Sequence, residues 1–415
     1  LEAHLEGFTL WGHNNGAEAP LLTTTGIHTT FGINWSELLE DPVLLKTLTI
    51  DRPHIYLYVN ESGITNLPRP QVSSDGSFME NLVRLAIGRL EVNDGIAEWN
   101  HRPVPFALQA SDTRLKVHYD GARPGYVGDL TAGTLQVQAE GVPAERAAVD
   151  AKVAIEADRL EVLESQVAGD GFRVSAQGLL SDFTNPQGDF SGSASVGEAA
   201  LRRLPVSRVV SNGAVDFEGR FQFGPDRAPS FDGSVGARQV RFSGFPSQSP
   251  ALNVSALVQA TPDRIELSNI QAAAGTATLE GSGRILALEK LEAEGTVKGA
   301  TLQQVLRSAD LNLTPLDASI SGAVRLSAEF RPAGRLNIAG DLTLSPRNGE
   351  SPLQGRVAGS FTRDRGLMFD QVSVTTPHSR LEASGSPSRQ QPLPGLSVDL
   401  ETEDARQLLA LVPAL

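Results

Sequence analysis

Histidine is the side chain most often used for metal binding and for acid–base chemistry near neutral pH, and this chain of 415 residues contains seven. They are His4, His13, His28, His54, His101, His118 and His378. No two are four residues apart, none has a carboxylate at the spacing of a metal-binding motif, and the chain has no cysteine. The sequence therefore predicts no metal site and no cofactor.

Motifs for nucleophilic catalysis or phosphate binding are also missing. Neither G-x-S-x-G nor G-x-x-x-x-G-K-[ST] occurs, and Gly281-Ser-Gly283 lacks the third glycine of a dinucleotide-binding loop. The 49 carboxylates provide many acids, but nothing in their spacing selects a catalytic pair. We therefore assign no catalytic residue and expect a protein that is not an enzyme. An enzyme acting on surface polysaccharide is the weakest alternative, supported only by the number of carboxylates.

Composition indicates a β-rich chain. Hydrophobic residues make up 40% of the sequence and aromatic residues 6%, and there are 40 glycines. The net charge of −14 repels a phosphate backbone, so we expect no nucleic-acid partner. No run reaches the roughly 20 apolar residues that span a bilayer. Because the chain begins at Leu1 within a strand-like pattern, we expect it to be a piece of a longer protein.

Apolar and polar residues alternate along most of the chain, which is the period of strands with one dry and one wet face. Between Ile320 and Phe330 every even position is apolar or glycine, and the odd positions include Arg325 and Glu329. Segments rich in Pro, Gly, Asn and Asp separate such runs. The pattern predicts an all-β fold in which hairpin-linked strands form an antiparallel sheet.

A repeat of about one hundred residues organises the second half. Equivalent strand pairs begin at Arg159, Arg264 and Gly366, which are separated by 105 and 102 residues. Each unit also carries a short helix-like insert, namely GEAALRRLP, KGATLQQVLRS and EDARQLLALV. We predict that these helices plug the sheet, with gating or partner docking as the alternative. The predicted regions are 1–150, with a short helix near 36–47 capped by Ser36, then repeats over 151–260, 261–362 and 363–415.

A long one-sided sheet must cover its apolar face, because exposed apolar surface costs about 25 cal/mol per Å². A sandwich, a closed barrel or solenoid, and an open curved sheet holding an apolar ligand would each do so. Small residues such as Gly281 and Gly283 alternate with large ones and favour tight curvature. These small residues favour a curved sheet over a sandwich, and the residues alone leave all three arrangements open.

The stretch LTIDRPHIYLYVNESGITNL, Leu48 to Leu67, resembles the N-terminal signature of the AsmA/TamB superfamily. The residues on which this resemblance rests are Leu48-Thr-Ile50, Arg52-Pro53, Ile55-Tyr-Leu57, Glu61-Ser-Gly63 and Thr65-Asn66-Leu67. Gly7-Phe-Thr-Leu10, Pro20-Leu-Leu22, Ser36-Glu-Leu-Leu39, Leu90-Glu-Val92 and Gly95-Ile-Ala-Glu-Trp99 are also similar to the family's opening elements. The resemblance covers about the first hundred residues by motif and the remainder by its alternating pattern. The family's C-terminal TamB domain is not recognisable in this chain.

The resemblance implies a periplasmic protein, anchored in the inner membrane when full-length, with a β-sheet trough like that of bridge-like lipid transfer proteins. From it and the one-sided alternation we expect an elongated, twisted β half-pipe with a few short helices, which as a monomer conducts phospholipid between the inner and outer membranes by holding acyl chains. Its predicted lipid-binding residues are Phe172, Val174, Val215, Phe217, Phe221, Phe223, Leu279, Ile285, Ile320, Val324, Leu326, Phe330, Leu336, Ile338 and Leu342. One alternative is an assembly factor or chaperone for outer-membrane proteins, which implies an outer-membrane assembly protein as a partner of the full-length chain. The other is a structural or adhesin-like β protein whose apolar face is a closed core.

Overall fold

A computed structural model describes residues 1–12, 20–33, 43–59, 66, 83, 85–101, 106–139, 142–182, 186–203, 210–225, 227–242, 251–287, 289–308, 317–329, 335–347, 352–362, 365–386 and 395–403. Of these residues, 81% lie in strands and 3% in helices. The predicted all-β fold, in which mainly antiparallel strands are accompanied by short helices, is confirmed. No helix in this described part of the chain is both long enough and apolar enough to cross a membrane.

The chain divides into two compact units. Unit 1 comprises residues 1–205 and 220–227, and unit 2 comprises residues 206–219 and 228–415. The first eleven strands are β1 (Glu2–Leu10), β2 (Leu22–Ile33), β3 (Val43–Asp51), β4 (His54–Val59), β5 (Arg89–His101), β6 (Phe106–Asp120), β7 (Gly125–Ala139), β8 (Val142–Ile155), β9 (Arg159–Gly169), β10 (Phe172–Ser181) and β11 (Gln187–Val196). Helix α1 (Glu198–Leu201) follows them.

The remaining strands are β12 (Val210–Gly224), β13 (Arg227–Phe242), β14 (Leu252–Thr261), β15 (Arg264–Ala274), β16 (Ala277–Leu286), β17 (Lys290–Thr301), β18 (Ser319–Glu329), β19 (Leu336–Ser345), β20 (Gln354–Thr362), β21 (Gly366–Thr376), β22 (Ser379–Gly385) and β23 (Leu396–Thr402). Helix α2 (Leu302–Ser308) joins β17 to β18. From β13 to β23 every strand pairs antiparallel with the next.

Unit 1 departs from a simple meander at its start. Strands β3 and β4 both pair parallel with β5, and both pair antiparallel with β2. They therefore form one interrupted strand between β2 and β5, and β5 to β11 continue as antiparallel neighbours. A parallel neighbour requires a crossover connection, which strand alternation alone does not reveal.

Pro53 lies at the interruption between β3 and β4. It is buried, Arg52 before it has a φ of 48°, and its carbonyl accepts a hydrogen bond from the Ile96 amide at 2.7 Å. Proline cannot donate to a ladder, so it fits this break in the strand. The sequence also predicts a hairpin turn at 60–63, which lies outside the described residues. Because the described pairing of β4 with β5 is parallel, those two strands do not form a hairpin.

The repeat seen in the sequence has a structural counterpart. Its three segments open β9, β15 and β21, and each of these strands has a bulge at the equivalent place. The bulged pairs are residues 163–164, 268–269 and 370–371, each opposite one residue of the next strand. The extra residue shifts the alternation, so that Leu267 and Ile270 lie on the same face although three positions separate them.

Two of the three helix-like inserts form helices, α1 and α2. The third lies almost entirely outside the described residues. The helix predicted near 36–47 does not reach its predicted end, because β3 already begins at Val43, and residues 36–42 are outside the described part.

Candidate functional site: the inner face of the sheet

The predicted site residues of unit 2 lie on one face of the sheet, here called the inner face. Register places Leu279 opposite Val297, Leu326 opposite Ile338, and Ile338 opposite Phe361. Residues directly opposite in an antiparallel pair point to the same side. The central inner-face positions are Phe231, Gly233, Val258, Leu267, Ile270, Leu279, Gly281, Gly283, Ile285, Leu291, Ala293, Gly295, Val297, Gly322, Val324, Leu326, Leu336, Ile338, Gly340, Leu342, Val357, Gly359, Phe361, Leu367, Phe369, Val372, Ala383 and Val398.

No ionisable side chain occupies any of these positions from β13 to β23. Their register makes continuous apolar rows across the strands, such as Leu279, Val297, Gly322, Leu342 and Val357. Neighbouring strands lie about 4.8 Å apart, so eleven strands give a path of roughly 48 Å along the sheet. The inner face is thus long, continuous and uncharged.

Glycines allow the strands to approach closely on this face. A β-carbon at Gly322 would lie 2.2 Å from the carbonyl oxygen of Asp341, and one at Gly355 would lie 2.1 Å from that of Ser373. Both carbonyls belong to the neighbouring strand, and backbone atoms cannot move aside cheaply. The predicted role of small residues in allowing curvature is therefore supported by direct geometry.

The inner face is only partly covered along most of its width. In β16 its residues are all partly exposed, and no side chain of that strand is fully buried. Phe361 is 38% exposed and Val398 is 43% exposed. A closed sandwich core would bury such residues almost completely, because protein interiors are close-packed.

One edge of the inner face is closed, and we call it the closed rim. Here Ala318, Ile320, Leu344, Leu353 and Val374 form a buried cluster, with Ile320 only 3% exposed. The opposite edge, at Leu336, Phe361 and Leu367, is called the open rim.

Helix α2 contributes to the closed rim, because Leu302 packs against the buried cluster. The helix begins with a capping box: Gln304 N–H donates to Thr301 Oγ1 at 3.1 Å, and Thr301 N–H donates to Gln304 Oε1 at 3.2 Å. Asp317 Oδ1 accepts the Gln303 amide at 3.1 Å. These bonds satisfy amides that a helix start would otherwise leave unpaired. Helix α2 therefore packs at the closed rim, and its plugging role stays a prediction.

Unit 1 holds a smaller apolar group of the same kind. Phe172 and Val174 on β10 face Val196 and Ala194 on β11. Phe223 lies over Gly188, where a β-carbon would come within 2.0 Å of its ring. Its ring centroid is 6.5 Å from Phe190 and 5.7 Å from Phe221, which is 41% exposed.

The predicted site residues therefore divide into groups. Leu279, Ile285, Val324, Leu326, Leu336, Ile338 and Leu342 share the inner face of unit 2. Val215, Phe217 and Gly219 are every second residue of β12, so they point to the same side. A β-carbon at Gly219 would contact Gly233, which lies on the inner face. Phe172, Val174, Phe221 and Phe223 belong to unit 1. Phe330 lies outside the described residues. Ile320 belongs to the buried cluster of the closed rim, so it does not line the accessible part of the face.

In unit 1, helix α1 is tied to the sheet by Arg203. Its guanidinium makes two hydrogen bonds with Glu145, at 2.8 and 3.1 Å, and one with Asp170 Oδ2 at 2.8 Å. These carboxylates raise the pKa of Arg203, chiefly through the bond to Glu145. Ala200 and Leu201 of the helix are buried.

The outer face carries cross-strand ion pairs. Arg284 Nε lies 2.8 Å from Glu292 Oε2, and Arg356 Nε lies 2.7 Å from Asp341 Oδ1. Hydrogen bonds from Lys290 and then Arg284 lower the pKa of Glu292, and Arg356 lowers that of Asp341. In unit 1, Arg220 holds the pKa of Asp189 down to about 2. Charge is thus concentrated on the face opposite the apolar one.

Sequence spacing did not reveal one histidine cluster. His4 and His28 lie opposite each other on β1 and β2, with their Nδ1 atoms 2.8 Å apart, and His28 Nε2 is 3.1 Å from Asp51 Oδ2. Cross-strand register creates this contact, and the order of residues along the chain does not show it. Among the described residues, no three histidines or carboxylates are arranged to hold a metal ion.

Comparisons with protein-family models, with curated proteins and with solved structures found no match to this chain.

Proposed function

We propose that this protein is a non-enzymatic lipid carrier whose inner face holds the acyl chains of phospholipids. The observation that carries the proposal is that the inner face of unit 2 combines no ionisable residue with partial exposure. Leaving such a surface in water costs about 25 cal/mol per Å², so an apolar ligand that covers it is stabilised. Apolar contact has little directionality, which suits a surface that holds many chains weakly.

The wider setting is also proposed. On the resemblance of Leu48 to Leu67, we place the chain in the AsmA/TamB superfamily and the full-length protein in the periplasm, anchored in the inner membrane. Its role would be to carry phospholipid between the two membranes. The polar outer face, with pairs such as Arg356 and Asp341, is compatible with an aqueous compartment.

Lipid extraction and native mass spectrometry of the purified protein test this function. We expect co-purifying phospholipid in the unmodified chain. Phe217→Glu, Leu326→Glu and Ile338→Glu, made singly, should keep the circular dichroism spectrum of a β protein and reduce the bound lipid. Thr343→Glu, on the outer face of the same strand as Ile338 and at the closed-rim end, is the matched control and should leave the lipid unchanged. A lipid-free protein that these inner-face substitutions unfold would instead have a closed core, and the proposal would be wrong.

A further inference from the structure

The two rims of unit 2 differ in charge. At the open rim, the connections over residues 262–263, 287–289, 330–335, 363–365 and 386–395 contain five arginines and three acidic residues, a net charge of +2, and four of the arginines are in the β18–β19 and β20–β21 connections (330–335 and 363–365). At the closed rim, the connections over residues 302–318, 346–353 and 377–378 contain two arginines and three acidic residues, a net charge of −1. The whole chain has a net charge of −14. The positive charge of the open rim therefore stands out against the rest of the chain.

Two of these arginines are in the described part, and both are exposed. Arg335 precedes β19, and its carbonyl accepts the Glu329 amide at 2.8 Å. Arg365 precedes β21, and its amide donates to Thr362 Oγ1 at 3.2 Å. Thr362 lies opposite Asn337, so both arginines flank the end of β20. Their backbone positions are thus fixed by the hairpins.

The guanidinium groups themselves are available. Neither Arg335 nor Arg365 forms an ion pair with any residue of the described ranges, whereas Arg347 at the closed rim lies 2.7 Å from Asp317. Glu329 is also at the open rim, between Lys290 on one side and Arg335 on the other, and Lys290 is paired with Glu292. In the described part of the chain no ion pair joins Glu329 to Arg335 or Arg365, so both guanidinium groups are open to an anionic ligand.

The apolar face begins immediately beside these arginines. Phe361 is the residue before Thr362, is 38% exposed, and lies between Ile338 and Leu367 in register. An exposed apolar surface next to unpaired cations is complementary to a molecule with an apolar chain and an anionic end. Arginine suits phosphate in particular, because its planar donors match phosphate oxygens.

We propose that the open rim of unit 2 is a head-group site that binds a phosphate through Arg335 and Arg365. The attached chain lies against Phe361, Ile338 and Leu367. This inference rests on the proposed function and adds an orientation: the head group is at the open rim, and the closed rim contacts only the chain.

Isothermal titration with three probes tests the site: dodecyl phosphate, dodecyl maltoside and inorganic phosphate, the amphiphiles being kept below micelle formation. The variant Arg335→Gln/Arg365→Gln is compared with Lys298→Gln/Arg380→Gln, which removes the same charge near the closed rim. Exposed substitutions of this kind leave stability almost unchanged, and circular dichroism checks this. We expect the open-rim variant alone to bind dodecyl phosphate about three- to tenfold more weakly. Binding of dodecyl maltoside should be unchanged, and added salt should weaken only dodecyl phosphate.

Each other outcome overturns the inference in its own way. Equal losses in the two variants, or no loss in either, would mean that the open rim does not recognise the phosphate. Inorganic phosphate binding as tightly as dodecyl phosphate would mean a free-phosphate site that ignores the chain. Equal binding of both amphiphiles would show that the open rim is not a head-group site, but it would still agree with the proposed lipid-carrying function. If the folded protein binds neither amphiphile, the proposed lipid-carrying function is wrong as well.

Discussion

Gly281 on β16 and Gly295 on β17 lie directly opposite each other, and a β-carbon at Gly281 would be 2.2 Å from the carbonyl oxygen of Glu294. The two backbones approach so closely on the inner face that neither strand has room for a side chain there. The missing side chains let the two strands approach closely, and the glycines lie between the larger residues of the neighbouring rows.

Replacement of Gly281 by alanine should therefore destabilise the protein. The added methyl group must push a neighbouring backbone away, and we expect a loss of about 1–3 kcal/mol in the free energy of unfolding. Urea denaturation measures it. Gly236→Ala is the matched control, because a β-carbon there meets no atom within 4 Å, and it should change stability by less than about 0.5 kcal/mol. Equal effects at the two glycines would contradict the close approach.

Ile320 and Leu326 occupy the same strand and the same face, but they should respond differently to the same substitution. Ile320 is 3% exposed in the closed-rim cluster, so Ile320→Asn should cost about 3–4 kcal/mol by burying a polar group and losing packing. Leu326 is partly exposed, so Leu326→Asn should cost about 1 kcal/mol. Thermal and urea denaturation compare them. A similar large loss at both positions would mean that the inner face is a closed core.

Asp189 should contribute to acid sensitivity. Its pKa in the folded state is about 2 because Arg220 hydrogen-bonds its carboxylate, below the value of about 3.9 for an unfolded chain. The depressed pKa means that the ion pair adds stability above about pH 4 and that this stability is lost as the pH falls toward 2.

Urea denaturation of Asp189→Asn and of the unmodified protein, from neutral pH down to the pKa of Asp189, measures this contribution. Both groups are exposed, so the difference at neutral pH should stay below about 1 kcal/mol and should vanish at the acid end. A difference that grows on acidification would have the wrong sign for a depressed pKa.

The sequence predicted the fold class and most of the inner face because alternation has a direct structural meaning. The even positions from Ile320 to Ala328 do share one face, and the three repeat segments do open equivalent strands. Alternation does not specify strand partners that are distant in the chain. The parallel pairing of β3 with β5 depends on a crossover, and the contact of His4 with His28 depends on register.

The difference between Ile320 and Leu326 also could not be predicted. Both residues have the same pattern in the sequence, and only the packing of α2, Ala318 and Leu353 around Ile320 separates them. The charge difference between the rims was present in the sequence, but it became visible only when pairing assigned each connection to one end of the strands.

Labelling at two adjacent positions tests the accessible apolar face most directly. Because the chain has no cysteine, Ile338→Cys and Asn337→Cys each place one environment-sensitive fluorophore, on the inner and outer face respectively. We predict that both cysteines react readily in the folded, lipid-stripped protein. Phosphatidylglycerol vesicles should then shift the emission of the label at position 338 to the blue and leave the label at 337 unchanged. A cysteine at 338 that reacts only after unfolding, or equal emission shifts at the two positions, would contradict a face that is open to lipid.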